Sequence, residues 1–367
     1  MKITRISAYQ AKLPYVGGTY CWGRGNVIDT ALTTVVTVDT DARISGCGEC
    51  CPFGANYLAA YPEGIVPALA RLAPALIGKD PRQLHAIERA MDNALKGHVY
   101  AKTALDNACW DILGKACDLP VWALLGGRLT DGAPMYRVVP QKPLEESARE
   151  MAAHRKAGYR QFQIKVGNDW KADIDSILQA ASLLQPGENA YADANMGWTV
   201  DEAVKVVRAV RDTGLMIEQP CATYEECLHV RSRSELPTKL DECVTGIDVA
   251  ERIVHDRSAE VVCLKISNLG GLTKARRVRD YLIEHGLSVV SEDTWGGEIT
   301  TAAVAHFAAS TPPELLYNTT DLHNYDTVTS GTPGPRTAAG RLYAGEAPGL
   351  GVEPNLTALG QPVAVYQ

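Results

Sequence analysis

Six charged residues in this chain each close an apolar run: Lys165 in QFQIK, Asp193 in NAYAD, Glu218 in LMIE, Asp241 after TKL, Lys265 in VVCLK and Asp293 in SVVSED. If those runs are parallel strands of a barrel, the side chains at their C-terminal ends converge on one mouth, where such barrels place their chemistry. Asp193, Glu218 and Asp241 on successive strands would repel one another in a partly dry cavity unless something neutralised them. A divalent cation does so, and all-oxygen ligation without a nearby histidine favours Mg2+ over zinc or copper. Lys165 and Lys265 flank the triad on the second and sixth strands and could face each other across the cation. An ammonium beside a cation and a second ammonium has its neutral form favoured, as a general base at neutral pH requires. The chemistry implied is removal of a proton α to a carboxylate, with the cation absorbing the charge of the resulting enediolate. A glycosidase would also use paired carboxylates, but two strand-end lysines and few nearby aromatics fit it poorly.

The elements that position these residues can be read around them. From Ala133 onward, short β-rich runs (APMYRVV, QFQIKVG, NAYADAN, LMIEQP, TKLDE, EVVCLKI, SVVSED, ELLYNTT) alternate with amphipathic stretches such as PLEESAREMAAHRKAG, DIDSILQAASLL, VDEAVKVVRAVRDTG, GIDVAERIVHD, LTKARRVRDYLIEHG and ITTAAVAHFAAS. Regular helical spacers between strands predict an α/β fold with a parallel barrel. A doubly wound sheet would need a G-x-G-x-x-G turn after an early strand, and none is present. The first 50 residues differ, giving a strand in MKITRISAYQAKLP, a glycine-rich aromatic loop from Tyr15 to Gly25, a strand in TALTTVVTVDT and a third near Ile44–Glu49. Three helical patterns then run from about Gly64 to Leu125, so this part reads as an α+β unit.

The chain has 367 residues and a formal net charge of −7, which excludes a basic nucleic-acid binder. With 46% hydrophobic and 22% charged residues it is not a disordered chain. No apolar window is long enough to span a membrane, and the N-terminus lacks a signal-peptide pattern, so a soluble cytoplasmic protein is expected. Of the ten cysteines, Cys47, Cys50 and Cys51 in GCGECCPFG carry a Cys-x-x-Cys spacing. A zinc site would need a second ligand pair and a redox motif a thioredoxin-like context, so a strand end and turn are expected there.

The stretch AKTALDNACWDILGKACDLPVWALLGG (Ala101 to Gly127), followed in order by QIKVG, ADAN, IEQP, LDE, LKISNLGG and EDTWGG, resembles the enolase superfamily, specifically its mandelate racemase and muconate lactonizing enzyme group. The resemblance implies a modified (β/α)8-type barrel, (β/α)7β, over residues 131–330, an α+β capping domain over 1–130, and a segment 331–367 that returns to the capping domain. It implies Mg2+ held by Asp193, Glu218 and Asp241, Lys165 and Lys265 as acid/base pair, and Asn195 and Gln219 as orienting groups. A lysine at strand six, rather than a histidine after strand seven, matches the muconate lactonizing enzyme-like branch. Gln163 stands where that family often has a further lysine, so a substrate bringing its own cation is expected. Asp293, Thr294 and Trp295 would then offer a carboxylate and an aromatic face to an ammonium.

QIKVG with EDTWGG and GHVYAK (Gly97 to Lys102) is similar to members acting on proline derivatives. Such members imply dehydration of cis-3-hydroxy-L-proline to 1-pyrroline-2-carboxylate, the leading expectation, or 2-epimerisation of proline betaine or hydroxyproline betaine. A non-catalytic barrel binding a metal or amino acid is the reading from another class. Trp22, on the Tyr15–Gly25 loop, and Phe53, Asn56 and Tyr57, on a second loop, are expected to close over the mouth and touch substrate. The partners expected are a small carboxylate bearing an amine and further copies of the chain, with no nucleic acid and no membrane.

Overall fold

The computed structural model describes residues 1–140 and 142–367. The N-terminal part is a four-stranded antiparallel sheet in the order Ala364–Tyr366, Ile3–Pro14, Thr30–Thr40, Ser45–Cys50. Alternation along Thr30–Thr40 gives the sheet two buried faces. Val36 and Val38 pack on the helices Ile65–Leu76, Leu84–Ala94 and Val99–Cys117, while Val35 joins the core of the barrel. The glycines of GCGECC let Val99–Cys117 lie against the edge strand: a Cβ at Gly46 or Gly48 would stand 2.3 or 2.0 Å from the carbonyl oxygens of Ala108 and Ala104. Cys47, Cys50 and Cys51 are thus buried free thiols of a strand and its exit.

Eight parallel strands follow: Tyr136–Val139, Gln161–Lys165, Asn189–Asp193, Met216–Glu218, Thr238–Leu240, Val261–Lys265, Ser288–Glu292 and Leu316–Thr319. They pair in sequence order, and a parallel bridge from Met135 to Thr319 closes the ring. Helices follow the first seven strands, whereas the eighth leads into a single turn of 3-10 helix, Leu322–Tyr325, so the barrel is of (β/α)7β type. One of these helices, Tyr224–Arg231, was not anticipated: it is only 8 residues long, although Thr223 and Glu226 form a reciprocal N-terminal capping box.

The C-terminal residues divide between the two parts. Arg341–Tyr343 pairs with Ala133–Pro134 beside the barrel, and only Ala364–Tyr366 joins the sheet of the N-terminal part. Among the described residues no helix is long and apolar enough to cross a membrane.

Candidate active site

Side chains alternate along a strand, so every second residue of each barrel strand points inward. Tyr136, Tyr191, Met216, Val261, Cys263 and Val290 form the interior cluster. Two residues beyond four of them, toward the C-terminal rim, stand Asp193, Glu218, Lys265 and Glu292. Lys165 and Asp193 are register partners, as are Asp193 and Glu218, and Lys265 and Glu292. Lys165, Asp193, Glu218, Asp241 and Lys265 therefore share one end of the barrel, as their positions in the sequence imply.

The same alternation overturns the expectation for Asp293. Glu292 takes the inward position and lines the cavity, while Asp293 points away: its Oδ2 accepts from Ser267 N (3.1 Å) and Oγ (2.9 Å), and its Oδ1 from Thr294 N (2.7 Å). It fastens the two rim loops and is not available to a substrate ammonium. Asn56 also lies off the cavity, where its Nδ2 donates to Asn26 Oδ1 at 2.6 Å and ties the second loop to the first. Of the remaining expected residues, Glu218 is fully buried and off the cavity lining, and the others converge. Gln163, Lys165, Asp193, Asn195, Asp241, Lys265 and Thr294 line one cavity. Its roof is aromatic: Trp22 and Phe53 have ring centroids 4.5 Å apart, and Phe53 stacks on Trp295 at 5.0 Å. Tyr20, Tyr57 and Tyr325 complete it. The first loop is fastened over the mouth by Arg24 N donating to Gly167 O (3.0 Å), Gly25 N to Asn168 Oδ1 (2.8 Å) and a Tyr15–Asp326 bridge.

The floor is a network of opposed charges. Lys165 Nζ donates to Asp193 Oδ2 at 2.6 Å and to Asn195 Oδ1 at 3.0 Å. Lys265 Nζ donates to Asp241 Oδ2 and to Tyr57 OH, both at 2.5 Å. Gln163 does not await a substrate, because its Nε2 donates to Asp193 Oδ2 (2.9 Å) and Glu218 Oε2 (3.2 Å) and bridges the two carboxylates. Gln219 accepts through Oε1 from Asp241 N at 2.9 Å and so orients the Asp241 loop. Lys239, absent from the sequence reading, is fully buried with Nζ 2.8 Å from Glu218 Oε1, an ion pair without hydrogen-bond alignment, and 4.2 Å from the centroid of Tyr191. Its inward position two residues before Asp241 was the signal that could have found it.

Each of the two lysines is paired with its own carboxylate. Burial alone would lower both, but the carboxylate of Asp193 holds Lys165, and that of Asp241 holds Lys265, above the usual lysine range. Burial and the neighbouring Asp193 charge push Glu218 well above the usual carboxylate range. Burial also works against the charge of Asp241, but Lys265 and Lys239 hold it below its usual value.

The donor set fits a hard cation. Glu218 Oε1 and Asp241 Oδ1 are buried without a hydrogen-bond partner among the described residues. The tightest group is Glu218, Asp241 and Cys263, each with a ligand atom within 4.8 Å of the others, while Asp193 is joined to Glu218 through Gln163. Burial raises the Cys263 thiol well above its usual range, and the carboxylate oxygens are the donors that suit a hard cation.

A parallel barrel with acids and lysines at its rim, under an aromatic-lined α+β cap, has the form of a barrel enzyme working on a small polar substrate. Residues 25–126 match the family model for the mandelate racemase/muconate lactonizing enzyme N-terminal domain, and residues 145–358 match that for the enolase C-terminal domain-like family. The chain belongs to the enolase superfamily, in its mandelate racemase/muconate lactonizing enzyme group, and is an enzyme. A cis-3-hydroxy-L-proline dehydratase of Roseibium aggregatum is 45% identical over 366 residues, covering 100% of both chains. A mandelate racemase/muconate lactonizing enzyme of Roseovarius nubinhibens ISM superposes with a TM-score of 0.97 at 57% identity, covering 100% of this chain and 98% of that one. A further enolase superfamily member from the same organism, 35% identical with a TM-score of 0.94 over 100% of this chain and 99% of that one, was crystallised with magnesium. Members of the superfamily bind Mg2+.

Proposed function

We propose that this enzyme dehydrates cis-3-hydroxy-L-proline, removing the C2 proton and the C3 hydroxyl to leave an enamine that tautomerises to 1-pyrroline-2-carboxylate. The observation that carries the reading is the pair of ammoniums on separate carboxylates, Lys165 on Asp193 and Lys265 on Asp241, beneath one aromatic roof. Full-length similarity to the Roseibium enzyme supports the substrate. In cis-3-hydroxy-L-proline the C2 hydrogen and C3 hydroxyl lie on opposite ring faces, so one lysine takes the proton while the other protonates the departing hydroxyl.

Asp193, Glu218 and Asp241 would hold Mg2+, which supplies positive charge that offsets the carboxylates and stabilises negative charge developing on the substrate carboxylate. Tyr57 and the rings of Trp22, Phe53 and Trp295 exclude water from above and present π-faces to the ring ammonium. Glu292 takes the part expected of Asp293, as the carboxylate facing the substrate amine.

The test is NMR in deuterated buffer with cis-3-hydroxy-L-proline and proline betaine side by side. Loss of the hydroxyl from the former is expected, and it should stop in Lys165→Ala, in Lys265→Ala and after chelation of the metal. Deuterium entering C2 of the betaine without loss of water would mark a 2-epimerase instead. Full activity in either lysine variant would end the two-lysine assignment.

A further inference from the structure

One buried carboxylate beside the cavity has no part in the chemistry above. Glu242 follows Asp241 and is 3% exposed. Its Oε1 accepts two hydrogen bonds, from Tyr57 OH at 2.8 Å and from Asn195 Nδ2 at 2.9 Å. Each donor meets a lysine with its accepting atom: Asn195 Oδ1 accepts from Lys165 Nζ at 3.0 Å, and Tyr57 OH from Lys265 Nζ at 2.5 Å. A continuous chain, Lys165–Asn195–Glu242–Tyr57–Lys265, thus joins the two ammoniums with a single oxygen at its centre.

The polarity of that chain depends on Glu242. An amide has a donating and an accepting end, so an acceptor at Nδ2 fixes Oδ1 toward Lys165; a flipped amide would set NH2 against the ammonium. The Tyr57 hydroxyl has one proton, and giving it to Glu242 leaves the oxygen to accept from Lys265. Asn195 is held in a left-handed backbone conformation (φ +43°) at the end of a barrel strand, whereas Tyr57 belongs to the second loop of the N-terminal part. Without the carboxylate between them, nothing else described accepts from either group.

We propose that Glu242 is a positioning residue for both lysines: by accepting from Asn195 and Tyr57 together, it fixes the aim of acid and base toward opposite faces of one substrate. The inference rests on the proposed function, in that Lys165 and Lys265 exchange protons with that substrate.

The experiment compares holoenzymes for turnover of cis-3-hydroxy-L-proline and for deuterium exchange at C2, with Mg2+ affinity measured separately by calorimetry. Misplacement of a reacting group by about 1 Å costs on the order of 100-fold, so Glu242→Ala is expected to lower kcat roughly 10- to 100-fold with KM changed less than about threefold. Calorimetric Mg2+ affinity should be retained. Glu242→Gln, which keeps an accepting Oε1, should recover most of kcat. In an Asn195→Ala/Tyr57→Phe background, Glu242→Ala should add little further loss, because both groups it orients are gone. Should Glu242→Ala not fold, Glu242→Asp withdraws the acceptor by one methylene with its charge intact and should show the same split at smaller size. Wild-type kcat in the variant that folds, a rise in KM with kcat held, or losses that simply multiply in the combined variant would each overturn the inference alone. A wild-type enzyme with neither water loss nor exchange would overturn the proposed function and this inference with it.

Discussion

Asp326 offers a test of the roof that is independent of the metal and the lysines. Its Oδ1 accepts from Trp295 Nε1 at 2.9 Å, while its Oδ2 is buried with no hydrogen-bond partner among the described residues. Burial outweighs that one donated hydrogen bond and pushes the carboxyl up to about 8, with Glu49 and Glu298 adding to the shift. An aspartate in the unfolded chain titrates near about 3.9, so the folded protein binds this proton more tightly than the unfolded one does. The stability gained is complete below about pH 4 and is lost as pH rises through about 8. That window of roughly four units at ~1.36 kcal/mol each sets a ceiling of about 5 kcal/mol, and partial solvent access at this site brings the expected figure to about 2 kcal/mol. Asp326→Asn keeps the acceptor for Trp295 and cannot ionise. For 367 residues at ~2.1 cal/mol/K each, unfolding entropy is about 0.8 kcal/mol/K, so the variant should melt about 2–3 °C above wild type at pH 9 and within about 1 °C of it at pH 5. The same group of other titrating residues is present in both proteins and cancels in the difference. An equal shift at both pH values, or a wild type that gains on the variant as pH rises, would refute the reasoning.

Two further outcomes follow from buried charges. Lys239→Met leaves Glu218 without its ammonium, and removing one member of a buried pair costs about 3–5 kcal/mol. Metal-free protein should therefore melt several degrees lower, and calorimetry should show Mg2+ binding tightened because one competing positive charge is gone. Glu49 accepts from Gly297 N (3.0 Å), Thr300 N (2.9 Å) and Thr33 Oγ1 (2.7 Å), so Glu49→Ala should cost about 2–4 kcal/mol in chemical denaturation by leaving buried donors unmet.

Strand-end charges were legible because five of the six fall on the inward phase of their strands. The sixth, Asp293, fails by a single residue. A strand end read as a run of letters does not say which of two adjacent acids, Glu292 or Asp293, faces in, but counting in twos from Val290 does. The same count places Gln163, Lys239 and Cys263 in the layer below, and of these Lys239 is the one that the terminal residues do not reveal. Asn56 and Glu242 were not legible in that way. What they do depends on where Asn26, Tyr57 and Asn195 meet them in space, and those neighbours lie 30 to 185 residues away in the chain. Helix Tyr224–Arg231 escaped because eight residues give too few turns for a periodicity to show, so its Thr223–Glu226 box was the better signal.

The helices around the barrel differ in who supplies their N-terminal acceptors. Those after strands two, three and four are capped by their own chain, through Asp169, Thr199 and Thr223. Those after strands six and seven, Leu272–Glu284 and Glu298–Ala309, begin at Gly271 and Gly297 and have no cap of their own. Their exposed N–H groups are met from the N-terminal part instead: Asn107 Oδ1 accepts from Leu272 N (3.2 Å), Asp106 Oδ2 from Thr273 N (2.9 Å), and Glu49 from Gly297 N and Thr300 N. Orphan donors at a helix start are costly when buried, and a carboxylate there also meets the positive end of the helix dipole. The half of the rim carrying Lys165, Asp193 and Glu218 therefore stands on self-sufficient βα units, while the half carrying Lys265, Glu292 and Trp295 depends on docking of the N-terminal part. That part supplies more than a roof: by capping the helices behind strands six and seven, it helps hold one of the two lysines opposite the other.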